Sequence, residues 1–121
     1  MKPEIIFGAT VRQRRKEHQL TLRGMAKIIS VSAGYLSKIE RDDYSPPAED
    51  KVRAIAELLD FDLDELLGLA GKVSTDLTEI IKERPREMAS LLRSASKMTA
   101  EETDQTVQTV QLFLAEIGAE E

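Results

Sequence analysis

Between Leu20 and Arg41 the chain reads LTLRGMAKIISVSAGYLSKIER, and the spacing of apolar residues in that run leaves few folds open. Thr21 can cap a helix through its hydroxyl, after which Leu22, Met25, Ala26 and Ile29 recur at three- and four-residue intervals and share one face. Ser32 can cap a second helix with Leu36 and Ile39 on its inner face, and Val31 plugs the corner formed by Ile29-Ser30-Val31. Ala26 falls where two helices joined so tightly must cross, a place with room for a methyl group and little more. Left facing outward are Ser32, Ala33, Gly34, Ser37, Lys38 and Arg41, a set with no large apolar side chain to bury. An ordinary hairpin in a helical bundle explains the corner, but not its combination with a small residue at the crossing and a basic outer face.

Charge is distributed unevenly around this segment. The 121 residues carry a net charge of -5, which by itself argues against a polyanionic partner. Residues 1–41, however, hold nine Lys and Arg against three acids, a net of +6, while the remainder holds eight against nineteen, a net of -11. Basic charge is thus concentrated around the second helix of the pair. The chain contains no cysteine, so neither a disulfide framework nor a thiolate site is expected. No apolar run approaches the roughly 18 residues of a membrane span, and the N-terminus lacks a signal-peptide pattern. A soluble, cytoplasmic protein without membrane association is the expectation.

These residues resemble the phage-repressor-like helix-turn-helix family, also called the Cro/repressor or xenobiotic-response-element family. The likeness runs from Phe7 to Leu67, through Phe7-Gly8, Val11-Arg12 with Arg15, Leu20-Thr21-Leu22, Met25-Ala26, Val31-Ser32, Tyr35-Leu36-Ser37, Ile39-Glu40-Arg41, Pro47, Ile55-Ala56 and Leu63 to Leu67. What the resemblance implies is an all-α chain: a five-helix DNA-binding domain over residues 1–70, whose third helix enters the major groove, and a C-terminal helical segment over 71–121. It also implies a structural ion pair between Arg15 and Glu40.

The first helix is predicted from about Pro3 to Glu17, burying Phe7 and Val11. Arg14 stands where the family usually has an apolar residue, so that side is expected to be more exposed than usual. Asp42 and Asp43 are a second departure, because the family often has glycine there and lets the loop approach the DNA backbone. They are expected either to turn away or to pair with Arg41. Two prolines, Pro46 and Pro47, end the loop, and a fourth helix from about Ala48 to Leu59 begins without the serine cap common in the family. Asp62 and Glu65 form a plausible capping pair for a fifth helix.

Phosphate contacts position such a domain and base contacts specify the sequence it reads. The family positions imply base contacts from Ser32, Ala33, Gly34 and Lys38, and phosphate contacts from Arg12, Arg23, Lys27, Ser37 and Arg41. Ala33 and Gly34 lack the amide or guanidinium of bidentate readers, so direct readout is expected to be sparse and operator shape to supply part of the specificity. Tyr35 is placed between core and phosphate.

Beyond Gly71 three further helices are predicted, the last capped by Thr99 and Glu102. In it Thr103, Thr106, Val107, Val110, Phe113, Leu114 and Ile117 share a broad stripe. Two readings compete: the segment packs on the first domain and enlarges a core, or it closes a homodimer through Thr103, Val107, Val110, Phe113, Leu114 and Ile117. The second is preferred, since a reader of one half-site gains affinity by pairing. The functional expectation is a DNA-binding transcriptional regulator, a repressor binding a palindromic operator as a homodimer. The rival is an antitoxin or adaptor whose C-terminal helices bind a partner protein while the first domain regulates its own promoter. One histidine, His18, no cysteine and no glycine-rich phosphate loop point away from an enzyme, and neither cofactor nor metal is expected.

Overall fold

The computed structural model describes residues 6–118, and among these it contains eight helices and no strand: α1 Ile6–Glu17, α2 Leu22–Ile28, α3 Ala33–Glu40, α4 Glu49–Leu59, α5 Leu63–Leu69, α6 Thr75–Glu83, α7 Pro85–Ala95 and α8 Ala100–Glu116. The predicted start near Pro3 lies outside the described residues. The chain divides into two compact units, the first ending at Thr78 and the second beginning at Glu79.

Local chemistry accounts for most of the helix starts. The Thr21 hydroxyl accepts from Gly24 N at 2.9 Å, the Ser32 hydroxyl from Tyr35 N at 3.0 Å, and the Asp62 carboxylate from Glu65 N at 3.0 Å. Each satisfies an amide that the first helical turn leaves unpaired. Ala48 gives α4 no side-chain cap, and Glu49 and Asp50 place negative charge in that first turn instead. Pro85 opens α7. Thr99 and Glu102 form a reciprocal capping box on α8.

In the first unit, α1 packs against α3, α4 and α5, α2 packs against α3, and α4 against α5. Phe7, Val11, Met25, Ala26, Leu36, Ile39, Val52, Ile55, Leu59, Leu66 and Leu67 are buried between them. Side chains of this size contribute roughly 1.5–3 kcal/mol each on full burial, so the unit has a core of its own. Gly8 is confined by this packing: a Cβ there would run into the carbonyl oxygen of Ile39 and lie 2.7 Å from that of Glu40. Backbone cannot yield as a flexible side chain can, so α1 and α3 can approach this closely only with glycine at the contact.

The sequence break expected at residues 70 and 71 is a turn, with Gly71 at φ 72°, but the compact unit continues past it to Thr78. Ser74 is buried, and Thr75 donates to Glu49 Oε1 from its amide at 3.2 Å and its hydroxyl at 2.7 Å. These contacts tie the start of α6 to the start of α4.

The second unit differs in its packing. No residue of α7 or α8 is buried. Thr103 and Thr106 are half-buried, while Val107, Val110, Phe113, Leu114 and Ile117 are exposed together with Leu91, Leu92 and Leu112.

Candidate nucleic-acid interface

The corner between α2 and α3 is built from backbone. Ile29 ends α2, Ser30 takes a left-handed conformation at φ 63°, and Val31 N donates to Ala26 O at 2.9 Å. This closing pattern satisfies carbonyls at a helix end, and it turns the chain sharply enough for α3 to begin two residues later. Ala26 and Ile29 are buried at the crossing.

Beneath α3, Arg15 and Glu40 meet with fork geometry. Arg15 Nε donates to Glu40 Oε2 at 2.7 Å and Nη2 to Oε1 at 2.9 Å, while Nη1 donates to Leu20 O at 2.9 Å. Both residues are buried. The Glu40 hydrogen bond raises the Arg15 pKa above its ordinary range against the opposing effect of burial, so the guanidinium remains charged. Two parallel bonds between planar groups fix orientation, and here they lock α3 to α1.

The expected base-reading residues line the start and outer face of α3. Ser32 and Gly34 are exposed, with nothing within 4 Å of a Cβ built on Gly34. Ala33 is partly buried against the core, which leaves only part of its methyl free. Lys38 is exposed, and its Nζ lies 3.4 Å from the Tyr44 hydroxyl and 5.1 Å from that ring's centroid. Of the expected phosphate contacts, Arg12, Ser37 and Arg41 meet around one cleft of about 160 Å³, which Arg15, Leu22 and Glu40 complete. Arg23 and Lys27 are exposed on α2 and stand outside this cleft.

The helix-turn-helix domain family matches residues 6–69, more than half of the chain and the whole of the five-helix array. The chain belongs to the helix-turn-helix domain family. A helix-turn-helix domain is a DNA-binding module. Two solved structures are similar to it. The crystal structure of the clp gene regulator ClgR from Corynebacterium glutamicum shares the fold at a TM-score of 0.50 and 21% identity, covering 81% of this chain and 98% of that one. A SinR protein/SinI protein complex matches at a TM-score of 0.48 and 22% identity, covering 90% and 98%. No curated protein matches the chain by sequence.

Several residues that position the helix-turn-helix motif have no signal in its own segment. Lys51, on α4, donates from Nζ to Ile29 O at 3.0 Å and to Ser30 O at 3.4 Å, holding the corner from below. Asp42, at φ 60°, points its Oδ1 at Gly8 N, 2.9 Å away, and so fastens the end of α3 to the start of α1. Asp43 pairs instead with Arg41, Oδ2 to Nε at 3.1 Å. Both expectations for the two aspartates therefore hold, one for each residue. Arg14 departs from expectation. Its Nη1 donates to Leu59 O at 2.8 Å and Asp60 O at 3.0 Å, and its guanidinium lies 4.0 Å from the centre of the Phe61 ring. In place of an apolar contact it satisfies the last carbonyls of α4, a favourable position for a cation at the negative end of a helix.

Proposed function

We propose that this chain is a sequence-selective transcriptional repressor that binds a palindromic operator as a homodimer and acts by occluding its promoter. The observation that carries this reading is the outer face of α3, where Ser32, Gly34 and Lys38 stand exposed beside the cleft of Arg12, Ser37 and Arg41. Seated in a major groove, α3 would bring its first turn and Lys38 to base edges while the cleft cations meet the flanking phosphates. Lys38 has the reach and donors for guanine O6 and N7. Arg23 and Lys27 add phosphate contacts from α2. Homodimerisation through Thr103, Val107, Val110, Phe113, Leu114 and Ile117 would place two readers about 34 Å apart, on successive major grooves of one duplex face.

A selection of bound fragments from random DNA tests both halves of the reading at once. The expected product is a two-fold symmetric site, and Lys38→Ala is expected to change the base preferred at one position per half-site, with an affinity loss of about 1–3 kcal/mol. Equal weakening on every sequence would reassign Lys38 to phosphate. A second reading, an adaptor or antitoxin whose C-terminal helices hold a different protein, draws on the same exposed apolar residues of α7 and α8. It is distinguished by a chain that stays monomeric when pure.

A further inference from the structure

The loop that follows α3 faces the cations of the reader helix. Arg41 ends α3 and borders the cleft, yet its Nε already donates to Asp43 Oδ2 at 3.1 Å. Both side chains are more than half exposed, and an ion pair in that setting adds little to folding. The loop is nevertheless held in shape. Asp42 is bound to Gly8 N, the amides of Asp43 and Tyr44 both donate to Lys38 O, at 2.9 and 3.4 Å, and the Tyr44 ring lies 5.9 Å from that of Tyr35. A backbone pinned on both sides thus presents a carboxylate to the one cleft cation that ends the reader helix.

We infer that Asp43 is a built-in stand-in for phosphate at Arg41, and therefore a specificity-determining residue of the DNA interface. The inference rests on the DNA-binding reading above. A carboxylate matches the charge and acceptor geometry that a phosphate oxygen offers a guanidinium. With Asp43 in place, a duplex approaching this corner meets a neutral pair in place of a full positive charge. Binding to backbone of any sequence is weakened, and a larger share of the affinity falls to contacts that depend on the bases. Asp42, by contrast, is committed to the Gly8 amide of α1.

The test uses the full chain and its Asp43→Asn variant, which keeps the shape and removes the charge. Binding is measured across a salt series on a mixed-sequence duplex of about 20 base pairs and on the operator recovered by selection. On the mixed duplex the variant is expected to steepen the slope of log K against log salt by about 0.9, which enlarges the loss between 50 and 200 mM salt by about 3.5-fold. The ratio of operator to mixed-sequence affinity falls accordingly. Arg41→Ala and the double variant Arg41→Ala/Asp43→Asn are expected to share one slope, because without Arg41 the carboxylate has nothing to mask. If Asp43→Asn steepens the slope equally in the Arg41→Ala background, Asp43 acts through the general field and the inference is overturned. An Asp43→Asn variant identical to a DNA-binding wild type overturns it too, leaving the DNA-binding reading intact; a wild type that binds no duplex overturns both.

Discussion

Glu40 carries a charge into a nearly dry position at 5% exposure, beside Leu36 and Ile39, and only Arg15 makes that tolerable. Removing water from a carboxylate costs several kcal/mol unless a partner of matching geometry replaces it. Stability gained over a well-packed apolar pair is small; the pair's consequence is that α3 has one allowed orientation on α1. Glu40→Ala or Arg15→Ala alone is expected to destabilise the domain by about 3–5 kcal/mol, and the double variant by less than the sum. Thermal and urea melts of the three variants measure this, and additive losses would show the two residues to be independent. Arg14 illustrates the same chemistry at a wetter site, its guanidinium serving the two carbonyls that end α4.

At the scale of elements, α2, α3 and α5 are capped at their starts as well as packed along one face. Glu49 ties together the starts of two others: it lies in the first turn of α4 and accepts both the amide and the hydroxyl of Thr75, the first residue of α6. The Thr75 hydroxyl, with help from Arg53, holds the Glu49 carboxyl below its ordinary 4.5, although partial desolvation opposes them. A carboxyl with a depressed folded pKa stabilises above its unfolded value and loses that contribution as pH falls through the folded one. Acidification from about pH 4.5 downward is therefore expected to release the start of α6 while the core of the first unit stays folded. An NMR titration of Glu49 checks this. Thr75→Ala should return its midpoint toward 4.5, and an unchanged midpoint would mean that the hydroxyl bond is absent in solution.

For the whole molecule, the two units differ in what each buries. The first owns a closed core, while α7 and α8 leave Leu91, Leu92, Val107, Val110, Leu112, Phe113 and Ile117 at about half exposure or more. From α8 into its C-cap, Thr103, Val107, Val110, Leu114 and Ile117 recur at intervals of four and three, the spacing of a seam buried against another helix. Val110→Asp or Leu114→Asp is expected to yield a monomer whose first unit still melts cooperatively, with operator affinity reduced by roughly 10²–10⁴-fold through loss of the second reader. Sedimentation decides the point, since an unchanged dimer would move the interface elsewhere and a monomeric wild type at micromolar concentration would remove it from this segment.

Helix order, caps and the inner faces of α2 and α3 were legible in the chain because they depend on neighbours three or four residues away, so periodicity and capping chemistry report them directly. The three helices beyond Gly71 followed from such local signals, while the five-helix array was what the family resemblance implied; of the outward set, Ser32, Gly34, Lys38 and Arg41 are exposed, whereas Ala33 packs partly against the core. The tertiary structure alone decided which distant backbone group each long polar side chain would serve. Lys51 reaches a carbonyl 22 residues back, Asp42 an amide 34 residues back, and Arg14 a carbonyl 45 residues ahead. A linear pattern shows which face a residue occupies. It does not show which unpaired carbonyl or amide the packed helices will leave beside that face, and an arginine at an apolar family position consequently read as exposed when it was a helix cap.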